Sequence, residues 1–305
     1  MKSKVFDTPE GFYKAIPTQI QENIKFRIEL HKILATDKTL QQIFLELCRR
    51  YYPIFFSSTA WTLNPQLMPG ERNQPFILRP AQIPAVERLN WCIDNKRDVG
   101  IDKTRKQGAS EICAKLFVAK CLLEELSHFI LGSRKKELVD CAGDPTTLMG
   151  KCDNALDFLP SWWKKRCGYD VKNCRKDMQI VIPETGSSIQ GETTNESFSA
   201  GSRASAICLD EFGRVEKATA DAIEGSIHDV ADCVIYSSTH WLGVNHTFAR
   251  CINKETTEVI RLLWYDNPIE NYGLYQTELP GEVNLVDEDW WLEKYPELKE
   301  YVETE

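Results

Sequence analysis

No apolar run in this chain approaches the ~18 residues of a membrane-spanning helix, so no transmembrane anchor is expected. Residues 1–9 lack the apolar core of a signal peptide. Histidine is scarce, five residues in 305, and each stands alone, so none is assigned to catalysis. Eleven cysteines are present, but none is paired as Cys-x-x-Cys, and no nearby histidine completes a zinc set with Cys152, Cys167 and Cys174. This usage points to reduced thiols in a cytosolic compartment, not to a disulfide framework. A basic excess is missing too: the formal net charge is −8. The deficit is local, because two of the 37 basic and ten of the 45 acidic residues fall in 278–305, which leaves the remainder neutral. Low basicity still allows a nucleic-acid partner held by a few phosphate contacts.

What is present centres on Lys103-Thr-Arg-Lys-Gln-Gly-Ala-Ser110. The common phosphate loop reads G-x-x-x-x-G-K-[ST], its backbone N–H groups cradling phosphates and its hydroxyl facing Mg²⁺. Counted back from Gly108, Lys103 takes the first-glycine position and Ala109 the lysine position, while Ser110 keeps the hydroxyl. Residues 98–102 read as a short strand, and 111–123 carry apolar residues at helical spacing. Strand, glycine loop and helix aim a helix N-terminus at a phosphate. An ordinary strand–helix turn has the same outline, so further elements must decide.

Two follow in order. Ala206-Ile-Cys-Leu-Asp-Glu211 is an apolar strand ending in paired carboxylates. In a nucleotide hydrolase the first, Asp210, holds the Mg²⁺ shell and the second, Glu211, activates water. Asp232-Cys-Val-Ile-Tyr-Ser-Ser-Thr239 is a second apolar strand, ending in hydroxyls that can sense a γ-phosphate. Loop, acidic strand end and hydroxyl strand end together describe a RecA-like P-loop ATPase core. Elsewhere, residues 9–52 read as helices, with an apolar stripe through Phe12, Tyr13, Ile16, Ile20, Ile24 and Phe26, then Leu40, Phe44 and Leu47. Residues 65–75, with Pro69-Gly70 between two further prolines, read as a linker. From there helices and strands alternate, which implies a parallel sheet with helices on both faces. The run 161–176 holds six bases against one acid with aromatics between them; it suits a DNA backbone, or a solvated face with Trp162 and Trp163 tucked inward.

At this point the chain resembles a known family, the ATPase domain of the terminase large subunit, the DNA-packaging motor of tailed phages. Many of its loops read Lys-[Ser/Thr]-Arg-Gln-x-Gly-x-[Ser/Thr], and 103–110 follow that form with Lys106 for the usual glutamine. Phe55-Phe-Ser-Ser-Thr-Ala-Trp-Thr-Leu-Asn-Pro65 is similar to its aromatic segment, and Phe76-Ile-Leu-Arg-Pro-Ala-Gln82 to its adenine motif. Ser188-Ile-Gln-Gly-Glu-Thr-Thr-Asn195, Asp210-Glu-Phe-Gly213, Ser237-Ser-Thr239 and Leu263-Trp-Tyr-Asp-Asn-Pro268 continue the series to about residue 276. The family's Arg-Gly ahead of the acidic strand is Ala200-Gly201 here, so a trans-acting arginine finger falls to Arg203, with Arg214 and Arg250 as alternatives.

The resemblance implies an α/β, RecA-like (ASCE) fold with a mainly parallel sheet and an N-terminal helical appendage. Its expected divisions are 1–66 for the appendage, 67–268 for the ATPase core, and 269–305 for an acidic lid or linker. ATP and Mg²⁺ are the expected cofactors. Gln82 would read adenine; Lys103, Thr104, Arg105, Lys106, Gln107, Gly108, Ala109 and Ser110 would surround the phosphates; Ser110 and Asp210 would hold Mg²⁺. Glu211 would be the base, Arg203 the finger, and Thr239 the γ-phosphate reporter. Implied partners are double-stranded DNA, a portal ring, the small terminase subunit and further copies of the chain in a ring, a pentamer when assembled and a monomer in isolation. The implied location is the cytoplasm of an infected host cell, outside the mature virion. The residues after the core are too few for the RNase H-type nuclease of whole large subunits, so nuclease activity is not expected. A helicase-like ATPase and a catalytically weak DNA- or portal-docking module are the alternatives.

Overall fold

The computed structural model describes residues 8–199, 201–277 and 283–299. Prolines punctuate the N-terminal segment. Pro9 opens the helix Pro9–Lys14, where a missing N–H costs nothing, and Thr8 caps it through Gly11 N. Pro17 precedes the next helix, Ile20–Thr36. The apolar stripe expected from Phe12 to Phe26 therefore breaks: Phe12 and Ile16 are buried, but Ile20 is 43% exposed. The second helix buries Asn23, Arg27, Leu30 and Leu34 instead, at steps of four, three and four.

Arg27 is inside because its guanidinium closes the end of the helix Pro53–Ser58. It donates to the carbonyls of Phe56 (3.1 Å), Ser57 (2.9 Å) and Ala60 (2.9 Å), and to Asn23 Oδ1 (2.6 Å). Burial pushes its pKa down to about 9, yet four acceptors around the charged form keep it a cation at neutral pH. Helix Lys38–Arg50 buries Phe44 and Leu47 as their spacing predicts. Phe44 and Phe55 meet Trp163 edge-on at 6.1 and 5.8 Å between ring centroids.

Trp162 and Trp163 thus face inward from the helix Ser161–Cys167, and three of the six bases in that run are engaged within the fold. Arg175 binds Asp140 (2.7 Å) and Asp153 (2.8 Å), Arg166 lies 3.4 Å from Glu184, and Lys164 donates to the Asp157 carbonyl at 2.7 Å.

The linker reading of 65–75 needs correction. Strands β1 (Trp61–Leu63) and β2 (Asn73–Pro75) pair antiparallel across it, and only 64–72 loop out. The cause is a side chain outside the proline-rich stretch. Trp61 stacks on Phe158 at 5.2 Å and lies 5.5 Å below the Arg27 guanidinium, which ties the strand down. The expected division at 66–67 falls in this hairpin's loop, and one apolar cluster runs from Phe12 to Leu262 across it.

Strands β3 (Val99–Lys103), β4 (His128–Ser133), β5 (Arg175–Lys176), β6 (Gln179–Ile182), β7 (Ser187–Thr193), β8 (Ala206–Asp210), β9 (Val234–Ser238) and β10 (Glu258–Leu262) form one sheet, ordered β10-β3-β9-β8-β4-β7-β6-β5. All neighbours from β10 to β7 are parallel, and β6 and β5 run antiparallel at the edge. Alternation along the strands splits the core. Ile207, Leu209, Val234 and Tyr236 pack with Phe248 and Ile252 on one face; Ala206, Cys208, Cys233 and Ile235 pack on the other, against the helix Ala109–Leu123.

Strand β9 lies between the loop strand β3 and the acidic strand β8, the RecA-like arrangement. At ~4.8 Å per neighbour, the ends of β3 and β8 stand roughly 10 Å apart, with β9 as the floor of the gap. No helix among the described residues is long and apolar enough to cross a membrane. Ten of the eleven cysteines are buried, and Cys141 is exposed.

Candidate nucleotide site

In an open parallel sheet, ligands bind outside the carboxyl ends of the strands. Lys103, Asp210 and Ser238 end β3, β8 and β9 at that edge. The loop after Lys103 folds because two residues adopt the left-handed region, Lys106 at φ 64° and Gly108 at φ 80°. Gly108 is also pressed from beneath, since a Cβ there would stand 2.9 Å from Gln82 Nε2. It caps the helix Ala109–Leu123, whose first N–H groups point into the gap beside Asp210.

Ser110 and Asp210, a hundred residues apart in sequence, meet here: Ser110 Oγ donates to Asp210 Oδ2 at 2.8 Å. Ser237 Oγ donates to the other oxygen, Oδ1, at 3.3 Å, and Asp210 is 7% exposed. A hydroxyl and a carboxylate oxygen at this separation fit two adjacent ligands of an octahedral Mg²⁺, whose ~2.05 Å bonds set neighbouring oxygens roughly 2.9 Å apart.

Glu211 leaves the strand in the left-handed region, at φ 55°, a conformation that costs a non-glycine residue about 1–2 kcal/mol. This turn carries its carboxylate back over the gap, where Lys103 Nζ meets Oε1 at 2.9 Å; the Lys103 side chain is 9% exposed and that of Glu211 29%. The lysine displaced from the common loop position therefore still reaches the reaction edge, from the opposite end of the loop. Ala109, at the usual lysine position, is buried.

The other expected residues separate into four groups. Arg105 and Lys106 are exposed on the loop. Thr104 N donates to the Leu262 carbonyl at 3.0 Å, binding the loop to β10. Gln82 and Gln107 are buried and hold the loop from beneath: Gln82 Oε1 accepts from Arg79 N (3.0 Å) and its Nε2 donates to Gln107 O (2.9 Å). One N–H and one lone pair of Gln82 are left for a base. Thr239 follows β9 directly, and its carbonyl accepts from Ser238 Oγ at 2.9 Å.

Arg203 is exposed and precedes β8, so it lies at the amino end of the sheet, up to roughly 23 Å of extended chain from Asp210. From there it does not reach the Asp210 of its own chain. Arg250 is held by Asp221 (2.8 Å) on the surface, and Arg214 lies 3.1 Å from Glu211 Oε2 in its own chain.

Two residues given no role by sequence reasoning join the site. Glu270 Oε2 accepts from Gln107 Nε2 at 2.7 Å, bringing the segment after β10 over the loop. A Gly108 Cβ would stand 3.6 Å from Arg79 Nη2, and burial lowers the Arg79 pKa against the opposing charge of Glu270. Arg79 lies inside the adenine-like motif and could have been flagged from it; nothing around Glu270 marks it.

No protein-family model matches the chain, and no curated protein is similar to it in sequence. Solved structures similar to it include the HK97 bacteriophage large terminase (TM-score 0.48, 13% identity, covering 74% of this chain and 49% of that one). A large terminase from a thermophilic bacteriophage, in complex with ADP, gives 0.43 and 13%, covering 66% and 50%. The large terminase ATPase domain of a Thermus phage gives 0.40 and 14%, covering 68% and 85%. The chain thus spans about half the length of the first two.

Proposed function

We propose that this chain is the ATP-hydrolysing motor domain of a viral terminase large subunit, coupling ATP turnover to translocation of double-stranded DNA. The observation that carries the reading is the Ser110–Asp210 contact beneath a helix N-terminus, with Glu211 and Lys103 paired beside it. Two separate parts of the sequence, each ambiguous alone, supply the hydroxyl on one side and the metal carboxylate and base on the other. The order of motifs from the aromatic segment to Pro268 turns an ATPase into a packaging ATPase.

In this reading Ser110 and Asp210 would hold Mg²⁺, which would supply charge screening and polarisation of the phosphate oxygens. The backbone N–H groups around Gly108 and the start of the following helix hold the phosphates. Lys103 leaves Glu211 for phosphate oxygens, and its ammonium offsets the charge that grows there in the transition state. Glu211, released from that ion pair, accepts a proton from water in line with the γ-phosphate. Ser238 and Thr239, at the end of the strand between loop and acid, carry the state of that phosphate to the far side of the sheet. Arg203 supplies a neighbouring copy's site.

The test is phosphate release from Mg-ATP with and without double-stranded DNA. Wild type should turn over ATP, and faster with DNA. Glu211→Gln should lose turnover at least a hundredfold while still binding ATP. Residual activity within tenfold of wild type removes Glu211 from the role. A wild-type protein that binds DNA but never releases phosphate is a docking module instead.

A further inference from the structure

Glu211 is gripped from two sides, and only one grip belongs to the phosphate loop. Oε1 faces Lys103, and Oε2 faces Arg214 Nε at 3.1 Å. Arg214 is brought back by the tight turn Phe212–Arg214, closed by its own N–H on the Glu211 carbonyl at 2.9 Å. The turn is possible because residue 213 is glycine: a Cβ there would stand 2.8 Å from Ser238 Oγ and 2.9 Å from the Thr239 carbonyl. The Nε–H is not directed at the carboxylate, so charge and packing hold the pair.

The packing comes from Trp241. The Arg214 guanidinium carbon lies 4.0 Å from the centroid of the indole ring, which is stacking distance, although the tryptophan is 57% exposed. Trp241 stands in the segment between β9 and the helix Thr247–Ile252, two residues after Thr239. That segment is pinned at its far end, where the His246 ring Nε2 lies 2.9 Å from the Val215 carbonyl, just past Arg214. Turn and segment form a clasp around one cation.

We infer that Arg214, seated over the Trp241 ring, is a positioning residue for Glu211 within the same molecule. Losing Lys103 to a phosphate would leave a lone carboxylate free to rotate; Arg214 holds Oε2 so that the released Oε1 stays aimed at the water. The stack also ties the base to the segment that leaves Thr239, so the γ-phosphate reporter and the base move together. The inference rests on the reading of Glu211 as the base.

Steady-state ATPase kinetics test it. Misplacement of a reacting group by about 1 Å costs on the order of a hundredfold, so Arg214→Ala should lower kcat roughly ten- to a hundredfold with KM for ATP within about twofold. Trp241→Ala should lower kcat in the same sense, and Trp241→Phe, which keeps an aromatic face, should restore it. Arg214→Lys should fall between, because an ammonium lacks the planar face. Trp241→Phe also guards against a misfolded alanine variant. Wild-type kcat in Arg214→Ala and Trp241→Ala, with Glu211→Gln inactive, overturns the inference and leaves the base assigned. So does a rise in KM alone, or failure of Trp241→Phe to differ from Trp241→Ala. An active Glu211→Gln overturns the underlying reading instead. If added Glu211→Gln protein, which keeps Arg214, rescues Arg214→Ala, then Arg214 acts between molecules and the inference fails.

Discussion

At the scale of single residues, the informative pair is Lys103 and Glu211, because each occupies the other in the resting site. Lys103→Ala should cut turnover about ten- to a hundredfold, since a charge-assisted contact to phosphate is worth about 1.5–3 kcal/mol. Lys106→Ala, on the exposed loop, should cost less; the reverse order in the same ATPase assay would show the loop register to be wrong. A second residue, His31, answers to pH. Burial among Phe44 and Trp162 lowers its pKa to about 4, against 6.5 in an unfolded chain. Its Nε2–H donates to the Ser58 carbonyl, so the neutral ring is the one the fold accommodates. Between pH 6.5 and 4 the unfolded form binds the extra proton and the folded form does not. Stability from this group is therefore complete above about pH 6.5 and is lost as pH falls toward 4, on the order of 3 kcal/mol in all. Urea midpoints at pH 7 and 4.5 should drop further in wild type than in His31→Gln, and equal drops would clear His31 of the effect.

At the scale of elements, the β1–β2 hairpin and the helix Ile20–Thr36 are one construction, joined through Arg27. Arg27→Met should cost about 2–4 kcal/mol, because it leaves buried carbonyls without a donor and takes the cation off Trp61. Chemical denaturation should show it, and a loss below 0.5 kcal/mol would mean the carbonyls find water. This construction is also where sequence reasoning failed. Hydrophobic patterning gave β8 and β9, which are buried throughout and end in the polar residues that matter. It gave the buried face of the helix Lys38–Arg50 for the same reason. It could not give the face of Ile20–Thr36, since that face is organised by an arginine and an asparagine whose partners lie some thirty residues away. Likewise the phosphate loop, Asp210 and Glu211 were legible because their chemistry fixes both residue type and order. Glu270 was not, because a carboxylate that reaches a loop through a tertiary contact leaves no local pattern.

At the scale of the whole molecule, the two ends of the parallel sheet divide the work. The carboxyl end gathers the candidate site, while Arg203 projects from the amino end, beyond reach of its own Asp210. If it completes a neighbour's site, specific ATPase activity should rise with protein concentration, since arginine fingers supply about 10³–10⁵ in rate. Arg203→Ala should flatten that rise; a dependence that survives it, and disappears only in Arg250→Ala, would move the finger to Arg250. The distribution of thiols has a separate consequence at this scale. With ten cysteines enclosed and Cys141 open to solvent, the native chain behaves chemically as a single-cysteine protein. Burial raises the pKa of thiols such as Cys92 and Cys251 to about 11, which withholds the reactive thiolate as well as access to it. A maleimide dye should therefore attach once, at 140–145 beside the β1–β2 hairpin, without mutagenesis. Mass spectrometry should find one adduct on the folded protein and up to eleven after urea, making label count a direct gauge of how much of the fold has opened.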